Sequence, residues 1–140
     1  MTNHITTKWV GGMAFESNNP SGLDLRIDAG PDDGGEGNGL RPKVLMLSGL
    51  AGCSGLDVAS LIKKMKLEVN DFHIETIANL TDEHPKYYDA VRIEYHFHGP
   101  NLNEGKLQKA VDLSVEKYCG VMEMFRRFAK LDIQTFFHTS

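Results

Sequence analysis

The stretch PKVLMLSGLAGCSGLDVASLIKKM, Pro42 to Met65, constrains this chain more than any other. From Val44 to Cys53 it carries no charged residue on any side. Pro42 suits the first helical turn, where its missing N–H would have had no intrahelical partner. The spacing predicts one long helix, and a helix apolar all round is expected to be buried on all sides. The lysines that close it, at 63, 64 and 66, place positive charge where the helix dipole favours it. The rest of the chain must therefore supply cover for a central helix.

That cover reads as strands and a second helix. Ile5 to Ser17 holds Trp9, Val10, Met13 and Phe15 and predicts a strand bent at Gly11-Gly12. In LDLRIDA, Leu23, Leu25 and Ile27 alternate with Asp24, Arg26 and Asp28, which predicts a half-buried strand paired with the first. Gly30 to Gly39 is rich in glycine and acid and predicts a flexible linker or lid. It has no lysine, serine or threonine to complete a phosphate-binding loop. DFHIETIANL and YYDAVRIEYHFHG predict two strands joined by TDEHPK, with Val91, Ile93, Tyr95 and Phe97 on one face and Arg92, Glu94, His96 and His98 on the other. Asn103 is a good N-cap for a second helix. Its apolar face runs through Leu107, Ala110, Val111, Ser114, Tyr118, Val121, Met122 and Phe125, with Cys119 about two turns before its end. LDIQTFFHT predicts a last strand. The order ββ–α–ββ–α–β gives an α+β fold in one domain, 1–140, rather than a doubly wound parallel sheet.

The formal net charge of −4 argues against a nucleic-acid partner. The first residues show no basic stretch followed by an apolar core, so the expected compartment is the cytoplasm, with no membrane partner. Thiols stay reduced there, which leaves Cys53 and Cys119 as buried small hydrophobes or as redox groups. They lie on different helices. Packing of those helices could bring them within disulfide reach, roughly 4.4–6.8 Å between Cα atoms. Cys53 is mid-helix and gains little from the helix N-terminus, while Asp57 one turn on disfavours a thiolate. A reactive Cys53 therefore needs a cation from elsewhere. His96 and His98 have the i, i+2 spacing of a chelating pair, but no third ligand is fixed by the sequence, so neither a metal nor another cofactor is expected. There is no G-x-S-x-G nucleophile motif.

PKVLMLSGLAGCSGLDVASLIKK around the first cysteine and AVDLSVEKYCGVMEMF around the second resemble the OsmC/Ohr superfamily of osmotically inducible and organic hydroperoxide resistance proteins, in its YhfA-like branch. The resemblance implies an intertwined homodimer in which two central helices are wrapped by curved antiparallel sheets. It implies a peroxidatic Cys53 that becomes a sulfenic acid on attacking an organic hydroperoxide, and a resolving Cys119 that condenses with it. A dithiol or a lipoylated protein would be the reductant. Gly49, Ala51, Gly52 and Gly55 would leave space beside the Cys53 sulfur. Members of the superfamily support the thiolate with an arginine from an N-terminal strand, held by a glutamate near the start of the first helix. Here GGMAFES has no arginine, and Lys43 stands where the acid is expected. Glu16 with Lys43 or Arg41 could be the same pair with charges exchanged. The alternative reading is a non-catalytic dimer that binds an apolar small molecule or acts as a slow redox sensor.

Overall fold

Strict alternation along Tyr88–His98 (β5) organises the larger part of the structure. Val91, Ile93, Tyr95 and Phe97 are buried, while Arg92, Glu94, His96 and His98 lie on the opposite, outer face, as the period-2 pattern predicts. Asp71–Leu80 (β4) pairs antiparallel with β5, and Lys130–His138 (β6) pairs with its other edge in parallel. This sheet is therefore mixed rather than antiparallel. The physical reason is the helical segment between β5 and β6, which carries the chain back to the end where β5 began, and such a crossover makes the next strand parallel. The computed structural model describes residues 1–139 and divides the chain into two compact units, Met1–Met46 and Leu47–Ser140.

Helix Pro42–Lys64 (α1) starts at the expected proline and ends on Lys63 and Lys64. Leu50, Ser54 and Val58 form its buried face. The expectation of burial on all sides does not hold within one chain: Val44 is 54%, Met46 52% and Leu56 75% exposed. A three-stranded sheet can cover only one side of a helix, so the other side is left bare. Nor are all four small residues spacers beside the sulfur. A Cβ on Gly55 would meet Ile74 Cδ1 at 3.3 Å, so this glycine lets α1 approach β4, whereas a Cβ on Gly49 or Gly52 would meet nothing. By length and composition alone α1 is also long and apolar enough to cross a bilayer. The packing of its buried face on the sheet makes that weak evidence for a membrane span.

The second helix is not continuous. Asn103 caps Glu104–Leu113 (α2) as expected, its side chain accepting from Lys106 N at 3.1 Å. The next five residues, Ser114–Tyr118, form one π turn, in which Cys119 N bonds Ser114 O at 2.9 Å rather than Val115 O. Cys119 is then extended (φ −80°, ψ 104°), and Gly120–Arg126 (α3) starts afresh. The freed Val115 carbonyl accepts from Arg126 Nη2 at 2.6 Å. Tyr118, placed on the apolar face by helical spacing, is 52% exposed because the extra residue rotates it outward.

The N-terminal unit is a three-stranded sheet of Thr7–Gly11 (β1), Ala14–Ser17 (β2) and Leu25–Ile27 (β3). Gly11 and Gly12 have φ of +108° and +55°, so the bend expected in one strand is a full hairpin turn between two. The element order becomes βββ–α–ββ–αα–β. The glycine-rich stretch after β3 is also more ordered than a linker. Asp28 is buried, and its carboxylate accepts from the amides of Ala29, Glu36 and Asn38 at 2.8, 3.1 and 3.3 Å. Burial by itself would raise its pKa, but these three bonds hold the carboxyl below its ordinary value. A Cβ on Gly35 would overlap the Ala29 carbonyl, so the loop closes only with glycine there.

Candidate functional site

In the larger unit the break between α2 and α3 turns Cys119 toward α1. The thiols of Cys53 and Cys119 are free and lie close enough to influence each other. Cys53 is half-buried and Cys119 buried. Cys119 is not mid-helix: it is the N-cap of α3, its sulfur accepting from Met122 N at 3.3 Å. That bond favours a thiolate, as does any helix N-terminus. It is outweighed. Burial first, then the hydrogen bond with Cys53, push the Cys119 thiol up to about 11. The two thiols differ in setting: Cys119 is buried at the head of α3, and Cys53 is half-buried on α1.

A chain of buried hydroxyls runs beside them. Ser114 Oγ donates to Asp57 Oδ2 at 3.0 Å, because a carboxylate can only accept. The direction of the rest follows. Ser54 Oγ donates to Ser114 Oγ at 2.7 Å, and Tyr95 OH donates to Ser54 Oγ at 2.6 Å. Ser54 and Asp57 are on α1, Tyr95 is on β5, and Ser114 opens the π turn. Burial pushes the Tyr95 hydroxyl up to about 12, against the lowering effect of Ser54 and with smaller contributions from the charges of Cys119 and Asp57. The Tyr95 hydroxyl therefore holds its proton at neutral pH, and the run of hydroxyls ends at Asp57. Only Asp57 was singled out from the sequence. The available signal was serine on otherwise apolar helix faces, at Ser54 and Ser114, where a hydroxyl needs a buried partner.

The three proposed thiolate-supporting residues lie in the N-terminal unit. Glu16 bonds Arg26 across β2 and β3 at 3.3 Å, not Arg41 or Lys43. Arg41 Nη1 donates to Gly39 O at 2.8 Å, and Lys43 is exposed near the start of α1. The N-terminal sheet thus holds an arginine–glutamate pair that the strand GGMAFES gave no sign of. Its arginine is on β3.

The outer face of β4, β5 and β6 carries a separate polar cluster. His73, His96, His98 and His138 stack upon one another, with ring centroids 4.4 to 5.3 Å apart. His96 Nε2 bonds Glu94 Oε1 at 3.0 Å, and its Nδ1 bonds His138 Nε2 at 2.9 Å. Arg92 spans Glu94 and Asp132 at 2.6 and 2.8 Å. The sequence pointed to His96 and His98. Strand pairing adds His73 and His138.

Comparison with known proteins agrees with this architecture. Residues 35–134 match the family described as OsmC-like protein. The chain is 29% identical to Protein YhfA of Escherichia coli (strain K12) over 120 residues, 86% of this chain and 87% of that one. The crystal structure of a hypothetical protein from Aquifex aeolicus VF5 superposes with a TM-score of 0.85 at 31% identity, over 98% of this chain and 96% of that one. The organic hydroperoxide resistance protein OhrB of Bacillus subtilis shares the fold at 24% identity, with a TM-score of 0.63 over 96% and 98% of the two chains. With the expected α+β fold in place and the match covering most of its length, the chain belongs to the OsmC family.

Proposed function

We propose that this protein is a thiol-dependent peroxidase that reduces organic hydroperoxides, with Cys53 as the peroxidatic and Cys119 as the resolving thiol. The observation that carries this reading is the pair of free, neighbouring thiols, one half-buried and one buried, in an OsmC-family chain. The name of the Bacillus subtilis protein with the same fold supports the substrate class. In the first step the Cys53 thiolate attacks a peroxide oxygen. An S–O bond forms, the O–O bond breaks, and an alcohol leaves with a proton. In the second step the Cys119 sulfur attacks the Cys53 sulfenic acid. An S–S bond forms, the S–O bond breaks, and water leaves. An external dithiol or a lipoylated protein then supplies two electrons and restores both thiols. Free thiols suit a reducing compartment such as the cytoplasm.

The thiolate needs a cation. The carboxylate whose charge reaches Cys119 is that of Asp57, which disfavours ionisation of a thiol. That observation favours the second reading, a non-catalytic dimer that binds an apolar small molecule or a slow redox sensor. In the peroxidase reading Lys43 supplies the positive charge, with Arg41 and Glu16 in support.

The working unit in either reading is a homodimer. Val44, Met46 and Leu56 on α1 are exposed, and so are Trp9 and Phe15 on the N-terminal sheet. Fully covering one such side chain contributes about 1.5–3 kcal/mol. These side chains are only partly exposed, so across two copies the gain is of the same size as the roughly 4–15 kcal/mol that association costs.

Four outcomes test these statements. Titrated with cumene hydroperoxide, the wild type should lose the mass of two hydrogens as a Cys53–Cys119 disulfide. Cys119→Ser should gain one oxygen and then a second at Cys53, and Cys53→Ser should consume no peroxide. Free thiols in the wild type under excess peroxide would replace the peroxidase with the second reading. Cys119 is a thiol until the pH approaches about 11. Disulfide formation after a single oxidation should therefore quicken about tenfold per pH unit from neutrality toward that value, and a flat stopped-flow profile would contradict that assignment. Lys43→Ala should shrink the Cys53 thiolate population at neutral pH, followed by thiolate absorbance in the Cys119→Ser background. No change would remove Lys43 from the site. Sedimentation should give a dimer at micromolar concentration, with an unfolding midpoint that rises with protein concentration. A monomer there would defeat the dimer.

A further inference from the structure

We propose that the outer face of the larger sheet binds one divalent transition-metal ion of the zinc class through His73, His98 and Asp71, away from the thiol chemistry. The three lie on adjacent strands, with Asp71 directly opposite His98 in the β4–β5 register and His73 two residues on from Asp71, on the same face. Their donor atoms all lie within 4.8 Å of one another. His73 Nδ1 and His98 Nε2 are 3.4 Å apart. Two nitrogens bound to one tetrahedral zinc at about 2.0–2.1 Å stand roughly 3.3–3.4 Å apart. The two imidazoles already have the separation that a shared ion requires. The structure already joins the two rings by a hydrogen bond, and a cation held by both nitrogens would take the place of its proton.

The neighbouring rings hold this pair in place. His73 stacks on His96 at 4.6 Å with 3° between planes, and His96 is fixed from both nitrogens by Glu94 and His138. His138 in turn stacks on His98 at 4.4 Å. Ligand rings pinned in this way lose little freedom on binding an ion. The chemistry of the donors, two imidazoles and one carboxylate, suits zinc, nickel or copper(II) rather than magnesium or calcium. With three protein ligands the fourth position would be left to water.

The second acidic group on this face, Glu75, Glu94 and His96, is not the site. Both nitrogens of His96 are engaged, and Glu94 is bonded to Arg92 at 2.6 Å, whose charge repels a cation. His98 lies six residues from Arg92 along β5, about 20 Å at 3.3 Å per residue. The proposed site is therefore well away from that charge. His73 and Asp71 are exposed and His98 half-buried, so an ion has access.

Titration calorimetry with zinc(II) on the full chain, reduced, tests this directly. One zinc per chain should bind in the wild type and equally in the Cys53→Ser/Cys119→Ser double variant. His73→Ala and His98→Ala should each weaken binding at least tenfold, and Asp71→Asn by less. Ring NMR signals of His73 and His98 should shift on adding zinc while those of His4 stay. Both histidine substitutions are on the outer face of a paired strand, and His73→Gln keeps the bulk if the alanine variant folds poorly. Binding that survives in the histidine variants but disappears with the cysteines would overturn the proposal in favour of thiol ligation. Absence of stoichiometric binding in the wild type would overturn it outright. Neither result bears on peroxide reduction, which is read separately by the mass of the Cys53–Cys119 pair.

Discussion

The buried hydroxyl chain from Tyr95 through Ser54 and Ser114 to Asp57 ties together α1, β5 and the π turn, and the placement of both thiols depends on it. Each hydroxyl, taken out of water without a partner, costs about 1–3 kcal/mol. The bonds can all be made only when α1 sits at one height against β5 and the end of α2 arrives at one point beside them. Cys53 is the residue before Ser54, and Cys119 is five residues after Ser114. Polar satisfaction thus fixes a register that apolar packing alone would leave loose, since Leu and Val contacts tolerate small slides.

The same junction explains why the second helix breaks. Ser114 is held by two partners on α1, the turn that follows takes an extra residue, and Cys119 is left extended at the head of α3. In a continuous helix Cys119 would have bonded back to Val115, and its sulfur would have pointed a turn away. The break costs one helical hydrogen bond, and Arg126 offsets it by donating to the stranded Val115 carbonyl. A capped but buried thiol results.

The two faces of the larger sheet do different work. The inner one is a core of Ile93, Tyr95 and Phe97, packed with the helices that carry the thiols. The outer one is a ladder of ion pairs and stacked imidazoles. Burial of one face and hydration of the other is what a strand with period-2 alternation permits, and it keeps the imidazole cluster apart from the thiols. Apolar side chains remain exposed at Leu56 on α1 and, in the N-terminal unit, at Trp9.

Much of this was legible in the residues. Pro42, the uncharged run after it and Lys63–Lys64 determined α1. The alternation in Val91–His98 determined β5 and both of its faces, Asn103 determined the start of α2, and the contexts of Cys53 and Cys119 pointed to the OsmC/Ohr resemblance. These are local signals, set by periodicity and capping within a few residues. What only the tertiary structure decided came from residues far apart in sequence. The parallel pairing of β6 follows from the path of a crossover. The π turn at Ser114 arises from bonds to Ser54 and Asp57 some sixty positions earlier, against a helical pattern that runs on unbroken through Phe125. The loop around Asp28 is ordered by three amides that composition reads as linker. His73 comes beside His98 because antiparallel register, not spacing along either strand, sets which side chains meet across a sheet.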